Sequence, residues 1–298
     1  MTNSRRSFLR SSAQIGALAP FLTLGAAMQR ASAQDAANPP AYPFGDSAEE
    51  AYQIAYRAHE DVMAYPDLHM HGNETIVMLA YPKMTMLDLV GPQYFFASMM
   101  GAKVHLVTKD PELTPIMGDT GFAIIPTVSM ADCPSNIDIL FVPGGTGGTV
   151  SAMLDDETID FVADRASRAK HVTSVCTGSL ILGQAGLLKG KRATSHWATR
   201  HLLTEFGATP VDARVVSDGN LMTGAGVSAG LDFALSLLAQ IRGKAYAQAI
   251  QLQAEYAPEP LFTGGTPATT DPRLRDPLHK MFATAIFAMK EATTHQRK

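Results

Sequence analysis

Cys176 stands between the apolar run His171-Val172-Thr173-Ser174-Val175 and Thr177-Gly178-Ser179, where a helical pattern begins. A thiol at a strand-to-helix junction sits on a sharp turn with its sulfur above the sheet. Amides of the helix start point near it and favour the thiolate. The competing reading is a small buried hydrophobe, the commonest role of a free cysteine. Gly144 and Gly145 follow Pro143 at the end of another apolar run. Glycines there let the backbone approach a ligand with its N–H groups aimed inward, which is half of an oxyanion-type hole. The N–H of Thr177 would supply the other half. A phosphate cradle through Gly144-Gly145-Thr146-Gly147-Gly148 is disfavoured, because no Gly-Lys-Ser/Thr follows.

Asp88 lies in Met84-Thr85-Met86-Leu87-Asp88-Leu89-Val90-Gly91-Pro92. An acid among Met, Leu and Val is costly to bury unless it has a partner or a task, and burial would raise its pKa and let it carry a proton. The alternative is a carboxylate that caps the start of a helix. His196 precedes Trp197, the only tryptophan. A loop from the same sheet edge would bring it near Cys176, although a lone histidine beside tryptophan reads first as a packing residue. Asp67, His69 and His71 have the residue types of a metal site, but no further spaced ligand follows them.

The elements that must position these residues alternate along the chain. Residues 75–80, 103–108, 137–142 and 171–175 are continuous apolar runs of strand length, the pattern of buried parallel strands. Helical patterns lie between them over 87–99, 156–168 and 179–188. This order predicts an α/β fold with a mostly parallel sheet, which binds ligands at the carboxyl ends of its strands. Residues 214–217 and 221–223 flank Asp218-Gly219-Asn220 and predict a hairpin. Helices are expected over 229–240 and 246–256, the latter ended by Pro258 and Pro260. A loop over 263–275 and a last helix over 277–291 complete the reading.

Length and composition bound the rest. The chain has 298 residues, 46% hydrophobic and 17% charged, enough for a sizeable core and unlike a disordered chain. A net charge of -4 gives no electrostatic reason to expect a nucleic-acid partner. Two cysteines are too few for a disulfide scaffold. Residues 1–33 read as an export signal: Arg5-Arg6 before Phe8-Leu9, a short apolar run broken by Pro20, then Ala31-Ser32-Ala33. Paired arginines followed by Phe-Leu resemble a twin-arginine signal cleaved near Ala33. The expectation is therefore a periplasmic protein that engages the twin-arginine translocation machinery. Those 33 residues carry four arginines and no acid, so the mature chain is more acidic still. Residues 34–73 read as an N-terminal extension with a short helix over 48–62.

Several stretches together resemble the ThiJ/PfpI family of the class I glutamine-amidotransferase-like superfamily. They are residues 81–92, 138–145, 175–188, 193–197 and 223–235. The resemblance covers a domain over 74–242 and leaves 243–298 as a C-terminal helical extension. It implies a flavodoxin-like three-layer sandwich with a nucleophile elbow, usually a homodimer, acting on a small molecule. Within the family the likeness is to members that hydrate isonitriles. It is carried by Asp88-Leu89-Val90-Gly91-Pro92, Val175-Cys176-Thr177-Gly178-Ser179, Ala193-Thr194-Ser195-His196-Trp197, Gly224-Ala225-Gly226-Val227-Ser228-Ala229-Gly230 and Ile250-Gln251-Leu252-Gln253-Ala254-Glu255-Tyr256. That likeness implies Cys176 as nucleophile, Asp88 as its acid–base partner, Gly145 and Thr177 as backbone donors and His196 in support, with no metal or organic cofactor. Protease-like members carry His directly after the cysteine, where Thr177 stands here. Protease-like and deglycase-like members carry Glu at the position of Asp88. The alternatives are a glyoxalase or deglycase acting on reactive aldehydes and a thiol redox sensor. A Cys133–Cys176 disulfide is left open, with Cys133 read as a structural residue.

Overall fold

The computed structural model describes residues 45–66 and 68–295. The export signal and Asp67 lie outside the described residues. The described residues fall into two units, divided after Pro66. The first contains helix α1 (Ala48–Met63), started by Ser47, whose side chain accepts from the Glu50 N–H.

The second unit is built on a seven-stranded sheet in the order β10-β11-β7-β6-β1-β2-β5. Its centre is β1 (Thr75–Leu79), β6 (Ile139–Val142) and β7 (His171–Val175), three parallel neighbours buried along almost their whole length. Such strands need apolar residues on both faces because helices cover both sides. The continuous runs Ile76-Val77-Met78-Leu79 and Ile139-Leu140-Phe141-Val142 supply them. Outward on one side come β2 (Lys103–Thr108) and the two-residue edge strand β5 (Val128–Ser129), both parallel. A small excursion, β3 (Ile116–Met117) and β4 (Ala123–Ile124), precedes β5.

On the other side β11 (Leu221–Gly224) pairs parallel to β7, and β10 (Val215–Asp218) pairs antiparallel to β11. The predicted hairpin is present, with Gly219 at φ 65 in its turn. Two further two-residue strands, β8 (Arg192–Ala193) and β9 (Thr209–Pro210), pair with each other beside the main sheet. The α/β fold with a mostly parallel sheet expected from the alternation, and the flavodoxin-like arrangement implied by the resemblance, are therefore the ones observed.

Helices α2 (Met86–Ala97), α6 (Ala229–Arg242) and α7 (Lys244–Gln253) form one layer. Helices α3 (Gly147–Met153), α4 (Asp156–Ala166) and α5 (Gly178–Gln184) form the other. Phe96 of α2, Phe141 of β6 and Phe233 of α6 meet at centroid distances of 5.7–6.3 Å and join the first layer to the sheet. The helix predicted over 179–188 ends earlier, at Gln184, because Gly186 takes φ 80 and closes the turn. The helix predicted over 277–291 is two helices, α8 (Pro272–Met281) and α9 (Ala283–Thr293). The first begins before Pro277 because the Asp271 side chain accepts from the Arg273 N–H and Pro272 sits in the first turn.

One buried ion pair closes the end of the sheet remote from the strand tips. Arg242, 2% exposed at the end of α6, donates through Nε and Nη2 to both carboxylate oxygens of Glu74 at 2.6 and 2.5 Å. Its remaining N–H groups reach the carbonyls of His69, Met70 and Met100. One guanidinium thus ties together the segment before β1, the turn before β2 and the last turn of α6. Replacing Arg242 by Met leaves Glu74 and the carbonyls of His69 and Met70 without their partner, while Met100 keeps the Gly72 N–H, and is expected to cost about 3–5 kcal/mol in a denaturant titration.

Candidate active site

Cys176 follows the last residue of β7 and takes φ 58, a left-handed conformation rare for a residue with a Cβ. Its surroundings hold it there. Its N–H is shared between the carbonyls of Gly224 and Ala225, at 3.1 and 2.8 Å. Its carbonyl accepts from the hydroxyls of Ser179 and Ser195, each at 3.0 Å. Four hydrogen-bonding groups from three segments therefore fix the turn on which the thiol stands. Ser179 and Ser195 had no distinguishing signal in sequence beyond their nearness to Cys176 and His196.

The amides of Thr177 and Val227 donate toward the sulfur. Val227, a β-branched residue at φ 37, is also in the left-handed region. Asp88 lies in the first turn of α2 and is fully buried. Its Oδ2 accepts from the Gly144 N–H at 3.1 Å and caps no N–H of its own helix, so the capping alternative does not hold. Its Oδ1 is buried without a well-aligned hydrogen bond among the described residues, and the carboxyl interacts with Cys176.

Electrostatics follows from this placement. Burial pushes Asp88 up from the ordinary 3.8 to about 7, against the thiol and the Gly144 amide, which pull it down, while Asp119 adds to the rise. Burial and the adjacent Asp88 carboxyl push the Cys176 thiol well above its ordinary range. The amides of Val227 and Thr177 oppose that rise without reversing it. The expected helix-start stabilisation of the thiolate is therefore present but outweighed, because the amide dipoles act on a group removed from water. The resting pair holds its proton on sulfur and titrates on the carboxyl near neutrality.

The backbone donors differ from expectation in one place. The N–H of Thr177 faces the sulfur, as predicted. The N–H of Gly145 does not, since it donates to Thr177 Oγ1 at 2.9 Å. The amides turned to the pair are those of Thr177, Val227 and Gly144. Gly144 must be glycine: a Cβ there would lie 2.6 Å from the Thr177 nitrogen and 2.8 Å from Asp88 Oδ2. Val227 was invisible in sequence because its amide reaches the sulfur only through the fold of the loop after β11.

His196 is near the pair but not in it. Its ring lies against Gly226, where a Cβ would sit 2.7 Å from Cδ2, and against Trp197 and Phe282 at 5.7 and 5.4 Å. Burial lowers its pKa to about 4, so it is a neutral ring at physiological pH. Its Nδ1 accepts from the Ala198 N–H. A cavity of about 690 Å³ opens behind Trp197 and is lined in part by Arg200, His201, Arg275 and His279; neither Cys176 nor Asp88 lines it. Cys133 and Cys176 are both free thiols, and Cys133 is buried with Arg165 donating to its carbonyl. Among the described residues no group of three His, Cys, Asp or Glu side chains is placed to hold a metal.

A parallel sheet with a cysteine on a strained strand-to-helix turn and an acid against it defines a nucleophile-elbow protein of the α/β class. Residues 74–240 match the DJ-1/PfpI family, and the chain belongs to that family. Isonitrile hydratase of Pseudomonas putida is 48% identical over 219 residues, which are 73% of this chain and 94% of that protein. The crystal structure of a ThiJ/PfpI family protein from Pseudomonas syringae is 48% identical and superimposes with a TM-score of 0.75, covering 78% of this chain and 96% of that one. Drosophila melanogaster DJ-1beta, 21% identical with a TM-score of 0.55, shares the fold over 63% of this chain and all of its own.

The raised Asp88 pKa has a consequence for stability. The folded protein keeps a proton that the unfolded chain releases above about pH 4, so this stabilisation is complete below that pH and is lost as pH rises to about 7. Asp88→Asn has no such titration. The unfolding free energy of the wild type is expected to fall relative to Asp88→Asn between pH 4 and 7, by on the order of 2–4 kcal/mol, and to run parallel above pH 8 in denaturant titrations.

Proposed function

We propose that this protein is a cysteine-dependent hydratase that adds water to an isonitrile and releases an N-substituted formamide. The observation that carries this reading is the Cys176–Asp88 pair: a buried nucleophile in contact with an acid that exchanges its proton near neutrality. The terminal carbon of an isonitrile accepts both a nucleophile and a proton, and it sits at the tip of a linear group. That shape suits a site in which the cysteine is 5% exposed and the acid is not exposed at all. The 48% identity to Pseudomonas putida isonitrile hydratase, across nearly all of that protein, supports the same reading.

The chemistry needs one proton on the pair. As the sulfur attacks the isonitrile carbon, the thiol proton passes to the Asp88 carboxylate and from there to the same carbon, giving an S-bound thioimidate, Cys176–S–CH=N–R. Asp88 is ionised again and takes a proton from a water that attacks the thioimidate carbon. Asp88 passes that proton to the imine nitrogen, and collapse of the adduct breaks the C–S bond as the hydroxyl proton passes through Asp88 to sulfur. The products are R–NH–CHO and the starting enzyme, and every proton and electron pair is accounted for without a further reactant. The amides of Thr177 and Val227 stabilise the sulfur whenever it carries charge. A buried thiol held in its protonated form is a poor target for peroxide, which weighs against a redox sensor.

The export reading stands beside this as a proposal from residues 1–33: a periplasmic enzyme whose mature chain begins near Gln34. Amino-terminal sequencing of protein from a periplasmic extract is expected to start there, and a start at Met1 would refute it. A homodimer, implied by the resemblance, is likewise proposed.

Turnover on cyclohexyl isocyanide tests the activity. Cys176→Ala is expected to abolish formamide release with the fold intact, and Asp88→Asn to lower kcat/KM by about 10²–10⁴. In the wild type kcat/KM is expected to rise with pH through about 7, because protonated Asp88 cannot accept the thiol proton. Unimpaired turnover by Cys176→Ala would refute the reading.

A further inference from the structure

Gly144, whose amide holds the Asp88 carboxyl, is itself held on every side by groups the reaction does not use. Its own carbonyl accepts from the Thr85 N–H at 2.9 Å. The carbonyl before it, of Pro143, accepts from the Tyr81 hydroxyl at 2.8 Å. The two peptide groups after it are held as well. The Gly145 N–H donates to Thr177 Oγ1, and the Gly145 carbonyl accepts from the hydroxyls of Thr177 and Thr149, at 2.6 and 2.8 Å. The three hydroxyl oxygens lie together: Thr149 Oγ1 is 2.8 Å from Thr177 Oγ1 and 3.4 Å from the Tyr81 oxygen, so their protons are shared between these contacts and the carbonyls. Tyr81, Thr149 and Thr177 are all buried. The Tyr81 phenol is pushed above its ordinary range by burial, so it stays a neutral donor across the working pH range.

Three buried hydroxyls on one three-residue loop exceed what closing the loop requires. Tyr81 holds the Pro143–Gly144 peptide group whose N–H meets Asp88, Thr177 accepts from the next peptide group, and Thr149 donates to the one after it. We propose that Tyr81 and Thr149 are positioning residues that hold the Gly144 amide on the Asp88 carboxyl and thereby set the pH at which the Asp88–Cys176 pair becomes reactive. The groups facing Asp88 are few: Cys176, the Gly144 amide, the carboxylate of Asp119 and the neutral phenol of Tyr81. Asp119 is held by the Thr85 hydroxyl at 2.6 Å and by its own N–H on the Met84 carbonyl at 3.0 Å, through neither Tyr81 nor Thr149. Apart from the Tyr81 phenol itself, the Gly144 amide is the contact in that set that these hydroxyls hold, and Thr149 reaches it only through the loop. Loosening it withdraws a hydrogen bond from the carboxylate form alone, which moves the titration of the pair upward.

This inference rests on the reactive pair described under the proposed function, and its test is arranged to separate the two. The pH dependence of Cys176 alkylation by iodoacetamide reports the pair without any isonitrile. That of kcat/KM on cyclohexyl isocyanide reports it in turnover. In Tyr81→Phe and Thr149→Val the acid limb of both profiles is expected to move up by about half a pH unit or more, a threefold or larger change in ionisation. Thr149→Ser restores the hydroxyl and is expected to restore the wild-type limb. Should Thr149→Val fail to fold, Thr149→Ala removes the same hydroxyl without adding bulk. Folded Tyr81→Phe and Thr149→Ala proteins with an unmoved alkylation limb would overturn the proposal. A moved alkylation limb in a protein that leaves isonitriles untouched would uphold it and remove the hydratase reading instead.

Discussion

A thiol and a carboxyl buried against each other in a water-excluded site cannot both be ionised, and the second unit is organised around that restriction. Loss of water pushes both groups up; the carboxyl raises the thiol further, whereas the thiol's hydrogen bond and the Gly144 amide hold the carboxyl down. The pair near neutrality holds a single shared proton, which is what a reagent needs if it is to deliver a nucleophile and a proton to one carbon atom. The fold supplies the burial: Asp88 enters from the first turn of α2, Cys176 from the tip of β7, and the loop after β6 closes between them through Gly144.

Keeping two such groups together has a cost, and the surrounding hydrogen bonds show how it is met. Cys176 occupies a left-handed conformation that its own side chain disfavours, and Ser179, Ser195, Gly224 and Ala225 hold it by both ends of its peptide groups. Asp88 keeps a carboxyl away from water and receives one backbone amide in return. Both arrangements sit at the carboxyl ends of parallel strands, where loops converge and where a strained turn can be supported from two sides. At the opposite end of the sheet the Arg242–Glu74 pair does unrelated work, joining α6 to the segment before β1. The polar groups buried in this unit thus fall into a catalytic set and an architectural one, with no side chain in common.

Much of this was legible in the residues. Continuous apolar runs at 75–80, 137–142 and 171–175 marked central strands because strands covered on both faces have no polar side to show. Cys176, Asp88 and Gly144 stood out because each is a costly or permissive residue type at a strand end. Other features left no trace. The two-residue strands β3, β4, β5, β8 and β9 are too short to carry a period. Val227 reaches the sulfur by its backbone, and a backbone contact leaves no mark on residue type. Thr149 follows the Gly-rich stretch 144–148 with no signal of its own in the sequence, yet its hydroxyl supports the loop that holds Asp88.

The amino-acid sequence by itself determined the alternation of buried strands and amphipathic helices, hence the α/β sheet and the edge at which chemistry would lie, because side-chain periodicity and apolar runs are local properties. Only the tertiary structure decided which amides face the sulfur, that Gly145 serves Thr177 and not the site, and that the thiol rests protonated. Those outcomes depend on distances between segments far apart in the chain and on how completely water is excluded from between them. Charge on a cysteine or an aspartate is settled by its surroundings, and the surroundings exist only once the chain has folded.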